Sequence, residues 1–361
     1  MEITHAIKEF PILKQRLYLN TAASGILYDS LLEWRQEHDL DYLIKGSLLK
    51  EKSSAFSADV KTTVGEFFGC STENLALVPN FSLGLNMLLE GLDKKHRVLL
   101  LKDDYPSVNW PFETRGFSIS YLEVSAHLEE RIAEMILANG ITVLALSLVQ
   151  YISGIRIDLQ FLKQLKTAHP DLIIIADGTQ FCGTTDFNFE DSGIDVLGAS
   201  AYKWLLSGYG NGFMLFKDSL KEKLQVKAIG YNAADTMTSR REEVRFSKHF
   251  EPGHLDTLNF GSLQFSLQFL GAIGKAKIAA CHKELSAMAK EEFKALQLLD
   301  VMVVDRKSHS TIFNLKGDEL LFQRLSEHNI VASKRGNGIR VSFHFYNTLK
   351  DIEKLVRILK N

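Results

Sequence analysis

Two residues near the middle of the chain carry the clearest chemistry. Asp177 follows the apolar run 172–175, and Lys203 follows a second short run, 196–200. The first run is apolar without alternation, as expected of a strand buried on both faces of a parallel sheet. It stops at Ala176-Asp177-Gly178, and the second stops at Ala201-Tyr202-Lys203-Trp204. Open α/β sheets bind ligands beyond the carboxyl ends of their strands. An acid and a lysine delivered together to that edge suit pyridoxal phosphate chemistry. The lysine forms a Schiff base with the aldehyde, and the acid keeps the pyridine nitrogen protonated. A single Asp or Lys is most often a solvated loop residue, so the pair gains weight only from the rest of the chain.

The segments that must position this pair alternate between strand and helix patterns. Strands are expected at 98–101, 119–122, 141–146 and 213–216. Helices are expected from about Ser82 to Gly91, over 128–138 and over 159–168, the last stopped by Pro170. This β-α-β alternation argues for a mostly parallel sheet with right-handed crossovers. The Gly208-Tyr209-Gly210-Asn211-Gly212 run precedes a strand instead of opening a helix, so it reads as a tight turn and not as a dinucleotide loop. Residues 29–68 have helical spacing. Beyond Gly253 a proline-free helical tract covers 258–298, with a break near Gly271 to Gly274. Short strands follow at 301–304, 311–315, 330–333 and 339–343, with helices at 318–327 and 349–359. Three parts are expected: an N-terminal arm (1–25), a large α/β domain with a mostly parallel sheet (26–255), and an interdomain helix with a smaller α+β C-terminal domain (256–361). The arm contains a loop of small residues, Asn20-Thr21-Ala22-Ala23-Ser24-Gly25, which lets other backbone or a ligand come close.

Composition narrows the class. The chain has 361 residues, 24% charged and 45% hydrophobic, which is ordinary for a soluble globular protein. A formal net charge of −2 provides no field for nucleic acid or an anionic membrane, and the short cluster Ser239-Arg240-Arg241 is followed at once by Glu242-Glu243. The start has no apolar core of signal-peptide length, and no window reaches a membrane-spanning apolar run. Cys70, Cys182 and Cys281 match neither a zinc spacing nor a disulfide framework, so a reducing cytoplasm is the expected location. The histidines show no metal-ligand spacing on a helix.

Asp177-Gly178-x-Gln180 and Ser200-x-x-Lys203 resemble the fold-type I pyridoxal phosphate enzymes. Within them the chain is similar to the class V aminotransferase and cysteine desulfurase-like family, with matching pieces in order from Tyr18 to Asn347. The resemblance implies a role for each matching residue. Lys203 would carry the Schiff base and shuttle a proton, Asp177 would pair with the pyridine nitrogen, Gln180 would bond the phenolic oxygen, and Ser200 would donate to the phosphate. Asn80-Phe81-Ser82 opens a helix, whose N-terminal N–H groups suit an anion. Phe81 and Ser82 are therefore expected at the phosphate, Ser82 serving either there or merely as an N-cap. Tyr105 would stack on the cofactor face, where the family often has histidine. Tyr202 replaces the histidine that desulfurases usually carry before the lysine, and its hydroxyl could still reach the phosphate. Gln150 and Tyr151 depart from the family pattern. His254, in Glu251-Pro252-Gly253-His254, stands at the position of a threonine that contacts the partner subunit's phosphate, which implies a homodimer with a shared active site. Arg340 would bind the substrate α-carboxylate, for which a planar guanidinium is suited.

A desulfurase also needs a nucleophilic cysteine on the loop before that arginine. The stretch Val331-Ala332-Ser333-Lys334-Arg335-Gly336-Asn337-Gly338 has none. The expected activity is therefore a pyridoxal phosphate-dependent aminotransferase acting on an amino acid or related amine, with no metal. A lyase or an epimerase of the same fold remains an alternative, as does a non-catalytic protein that binds the cofactor. An epimerase would need a second acid, for which Tyr105 and His344 are the candidates.

Overall fold

The computed structural model describes residues 1–51, 53–233 and 244–360, and the charge cluster at 239–243 lies outside them. Its strands in chain order are β1 (Leu17–Tyr18), β2 (Leu75–Val78), β3 (Arg97–Leu101), β4 (Ser118–Leu122), β5 (Val143–Ser147), β6 (Ile173–Asp177), β7 (Val196–Ser200), β8 (Gly212–Phe216), β9 (Ile312–Lys316), β10 (Ile330–Val331), β11 (Ser333–Arg335) and β12 (Gly338–Ser342). Seven of them form one sheet in the order β2-β8-β7-β6-β5-β3-β4. Strands β7, β6, β5, β3 and β4 run parallel, while β8 is antiparallel to both β2 and β7. The sheet is mostly parallel, as expected, and β2 is an addition that the apolar periodicity did not reveal.

The continuous apolar runs have a packing reason. Leu99, Leu144, Ile174 and Leu197 belong to the apolar cluster on one face of the sheet. Val98, Val143, Ile173 and Val196 belong to the cluster on the other face. Alternate side chains of a strand point to opposite faces, so a strand covered on both sides must be apolar throughout. Each such side chain taken from water contributes roughly 1.5–3 kcal/mol.

The C-terminal part has its own core. The antiparallel sheet β11-β12-β9 turns Phe313, Leu315, Ile339 and Val341 into a third apolar cluster, together with the helix Leu349–Lys360. The long helical tract is broken where expected, into Thr257–Ile273 and Lys275–Ala295, with Gly274 at positive φ between them. The first helix packs with the large-sheet cluster through Phe260, Leu263 and Leu267, while the second contributes Leu285, Ala289 and Phe293 to the small one. The expected strand at 301–304 is instead a short helix, Val301–Asp305. The β-branched run there suggests a strand, but the Asp300 side chain accepts the Met302 N–H and starts a helical turn.

The arm joins the two parts. β1 pairs in parallel with β10, and Asn20 bridges to Ser342. The Ala22 N–H donates to Ser342 Oγ at 3.0 Å, and the Gly25 N–H donates to the Tyr202 carbonyl at 2.8 Å. A methyl group at Gly25 would lie 2.2 Å from the Lys203 carbonyl oxygen, so only glycine allows this approach.

Candidate active site

Register brings the chemistry to one edge of the large sheet. Ser147 lies beside Asp177, Asp177 beside Gly198, and Ser200 beside Gly212, which in turn faces Val78. The ends of β2, β5, β6 and β7 therefore share an edge, and the segment after β3 joins them.

Asp177 is buried and held in place. Its Oδ1 accepts the Thr179 N–H at 2.8 Å, and Thr179 Oγ1 accepts the Ser200 N–H at 3.1 Å. Thr179 thus latches the end of β6 to the end of β7. Burial pushes the Asp177 carboxyl up from its ordinary pKa, against the Thr179 bonds and the nearby Lys203 charge.

The helix Phe81–Glu90 starts directly above this latch. Its N-cap is Asn80, whose Oδ1 accepts the Leu83 N–H at 2.9 Å. The helix thus starts one residue before Ser82, which lies inside the first turn and is not the cap. The Phe81 N–H donates to Ser200 Oγ at 2.9 Å, which leaves the Ser200 hydroxyl hydrogen to donate elsewhere. The Phe81 ring is buried against the sheet, and a methyl group at Gly198 would come within 2.7 Å of it. Phe81 thus faces the core, and its amide is already engaged. Ser82 Oγ donates to Ser107 Oγ at 2.7 Å. First-turn N–H groups have no carbonyl partner within their own helix. With Phe81 and Leu83 engaged, the Ser82 N–H is the first-turn donor for an incoming anion.

Lys203 is buried, and burial lowers its pKa. Asp177 opposes this shift, while Arg340 and Arg335 add to it. Its Nζ lies 5.6 Å from the centre of the Tyr105 ring and 5.5 Å from that of Tyr202. The Tyr202 ring stacks on Tyr209, with centroids 4.6 Å apart. Gln180 is fixed from both ends: Nε2 donates to the Ala22 carbonyl at 2.9 Å, and Oε1 accepts the Trp204 indole N–H at 2.7 Å.

Behind Lys203 lies a relay that sequence reasoning did not find. His344 Nε2 is 3.0 Å from the Trp204 carbonyl, His344 Nδ1 is 2.9 Å from His282 Nε2, and His282 Nδ1 is 3.4 Å from Thr311 Oγ1. A carbonyl only accepts, so His344 must carry its proton on Nε2. His344 Nδ1 then accepts from His282 Nε2–H, and His282 Nδ1 accepts from the Thr311 hydroxyl. Burial holds both imidazoles neutral, with their pKa values far below the ordinary one. His344 is therefore buried and already donating, which rules it out as the second acid of an epimerase.

A second buried acid, Asp104, organises the other wall. Its carboxylate accepts the Tyr105 N–H at 2.7 Å and the Ser147 N–H at 2.8 Å, and burial pushes its pKa up. It fixes Tyr105, which precedes the helix Pro106–Glu113 and meets Tyr151 edge to face at 5.2 Å. Asp104 stands three residues beyond β3, in the loop Lys102-Asp103-Asp104, and no spacing pattern in the sequence marks it.

Arg340 enters from β12. It is 2% exposed, and its Nη1 donates to the Tyr151 carbonyl at 2.7 Å. Its Nε has no partner, and among the described residues no carboxylate forms a salt bridge with it. Burial lowers its pKa to about 10, with neighbouring Arg335 adding to the effect.

His254 is not brought to this cluster within one chain. It is exposed, and its ring lies parallel to Tyr231 at 5.4 Å. It lines a groove of about 810 Å³ that includes Lys61, Lys248 and Asn232 but shares no residue with the Lys203 site. The adjoining Glu251 is anchored, accepting the Leu77 N–H and a 2.8 Å ion pair from Lys61. Burial raises all three thiol pKa values, that of Cys281 to about 11.

Comparison with known proteins agrees with this arrangement. The profile described as "Aminotransferase class-V" matches residues 18–355. The chain is 22% identical to "Uncharacterized aminotransferase YcbU" of Bacillus subtilis, over 96% of this chain and 94% of that protein. It is 20% identical to a "Probable cysteine desulfurase" of Ureaplasma parvum, with the same coverage. The solved structure of a cysteine desulfurase from Thermococcus onnurineus superposes with a TM-score of 0.86 at 17% identity, covering 100% of this chain and 98% of the other. The profile spans the large sheet, the C-terminal sheet and every residue of the Asp177–Lys203 floor, and the chain belongs to the class-V aminotransferases, a family of pyridoxal phosphate enzymes.

Proposed function

We propose that the protein is a pyridoxal phosphate-dependent aminotransferase whose substrate is an amino acid held by its α-carboxylate on Arg340. The observation that carries this reading is the burial of Asp177 and Lys203 side by side on one sheet edge, near a buried Arg340 that has no carboxylate partner among the described residues. The donor set suits the cofactor. Asp177 offers a carboxylate to the ring nitrogen, Gln180 an amide to the phenolic oxygen, and Tyr105 a ring face. Ser200 Oγ–H, the Ser82 N–H and the start of the helix Phe81–Glu90 offer donors to the phosphate.

When bound, the cofactor supplies an electron sink conjugated to the substrate nitrogen. The chain supplies the rest. Lys203 Nζ, with its pKa lowered by burial, is a nucleophile and a base closer to neutral pH than an exposed lysine. In transamination it would take the substrate Cα proton and deliver it to the cofactor's C4′ carbon. Asp177 keeps a proton on the ring nitrogen through its negative charge in a water-poor site. Arg340 holds the carboxylate so that the Cα–H bond faces Lys203. The thiols support transamination over persulfide chemistry. Cys182 is buried and protonated, Cys281 lies on the helix Lys275–Ala295, and the β11–β12 turn has no cysteine. His254, exposed and remote from its own Lys203, serves the phosphate site of a second protomer in a homodimer.

The test is absorbance of the purified holoprotein during addition of an amino acid panel, with product analysis. A cofactor absorbance change with formation of the matching keto acid supports transamination. Pyruvate released without an acceptor indicates elimination, and inverted Cα without keto acid indicates epimerisation. Cofactor still fixed covalently by borohydride in Lys203→Ala would overturn the assignment of Lys203.

A further inference from the structure

The polar face of the C-terminal sheet carries more positive charge than an α-carboxylate requires. In an antiparallel pair, directly opposed residues lie on the same face, and alternate residues of one strand share that face. Ser333 opposes Arg340, and Arg340 opposes Asn314. Arg335, two residues from Ser333, therefore presents on the same side as Arg340. The opposite side is the apolar core face of Phe313, Leu315, Ile339 and Val341.

Further contacts place this hairpin over the site. The Arg335 carbonyl accepts from Asn314 Nδ2 at 3.0 Å, and a methyl group at Gly336 would lie 3.4 Å from Ile152, next to the Tyr151 carbonyl that Arg340 bonds. Among the described residues Arg335 has no carboxylate partner, and its Nη1 reaches only the Lys334 carbonyl. Its neighbour Lys334, which points to the other face, is paired with Glu319. Arg335 also acts electrostatically on both Lys203 and Arg340. Among the described residues Asp177 offsets only Lys203, while Arg335 and Arg340 have no carboxylate partner; such like charges are unfavourable in the free protein, and an anionic ligand relieves them.

The geometry points to a substrate with two anionic groups: an amino acid whose α-carboxylate binds Arg340 and whose side-chain carboxylate binds Arg335. This inference rests on the proposed function, since it uses the same site and the same role for Arg340.

The test is equilibrium titration of the holoprotein, followed by cofactor absorbance and by calorimetry. Aspartate, glutamate and 2-aminoadipate are compared with asparagine, glutamine and norleucine. Wild type should bind its preferred acidic member at least about tenfold more tightly than the neutral counterpart, as a charge-assisted guanidinium–carboxylate contact implies. The preference should shrink at high salt, because Arg335 is exposed. In Arg335→Gln it should fall to about twofold or less while neutral amino acids keep their affinity. Lys334→Gln on the opposite face should leave it intact. Binding of neutral amino acids without an acidic preference, or a preference unchanged in Arg335→Gln, overturns the assignment of Arg335 and leaves the proposed function standing. No response to any member, in wild type and Arg340→Gln alike, overturns both.

Discussion

Two arginines of the C-terminal part of the chain, Arg306 and Arg340, are almost equally buried and are satisfied in opposite ways. Arg306 makes paired bonds to Glu129, one of them 2.6 Å long, and also donates to the Ala126 and Arg156 carbonyls. Arg340 reaches one carbonyl and has another arginine for a neighbour. Each leaves its Nε without a partner, so that atom does not separate them. The acid does. An arginine with its own carboxylate ties the C-terminal part to the helix bearing Glu129, and one buried without a carboxylate among the described residues suits the proposed carboxylate ligand. Burial alone therefore says little about role, whereas the charge balance around the buried group says a great deal.

The contrast can be broken from either side. Arg306→Ala strands a half-buried Glu129 and two carbonyls, and should cost about 3–5 kcal/mol in chemical unfolding. Turnover per folded molecule at low temperature should be nearly unchanged. Arg340→Gln should do the reverse, lowering kcat/KM by about a hundredfold or more through the lost carboxylate contact. Its unfolding midpoint should stay level or rise, because a like-charge neighbour of Arg335 is gone.

The histidine relay sharpens the comparison, since it lies beside Lys203 yet is internally satisfied like Arg306. His344→Ala leaves the Trp204 carbonyl without its donor and should cost about 1–3 kcal/mol. The relay also sets a pH dependence. His282 is pushed down to about 3 by burial in the folded state, so the unfolded chain binds the extra proton first. Stability is full above the ordinary histidine pKa of about 6.5 and falls as pH drops toward the folded value, by up to about 1.4 kcal/mol per pH unit. His282→Gln should flatten that acid limb in pH-dependent unfolding.

The sequence reading recovered the elements whose signal is local. Runs buried on both faces marked β6 and β7 with their end residues, and Gly271 to Gly274 marked the break between the long helices. It failed where a partner far along the chain decides. Leu75–Val78 is a strand because β8 returns antiparallel to pair with it. Val301–Asp305 is a helix because one aspartate caps it. In the site, residue types pointed to Asp177, Lys203 and Arg340. Thr179 and Asp104 escaped because their work is to bond backbone N–H groups, which leaves no pattern of spacing. The His282–His344 relay spans 62 positions, and only the fold brings it together.

The approach of Gly25 to the backbone of Lys203 has a consequence for assembly. The arm that supplies Gly25 is also tied to β10 and β12, more than 300 positions later in the chain. Contacts of such sequence separation are slow to form. During synthesis the arm cannot seat until β10 and β12 have emerged from the ribosome. The Gly25 contact with the backbone at Tyr202 and Lys203 therefore settles late, although Gly25 precedes all of its partners in the chain.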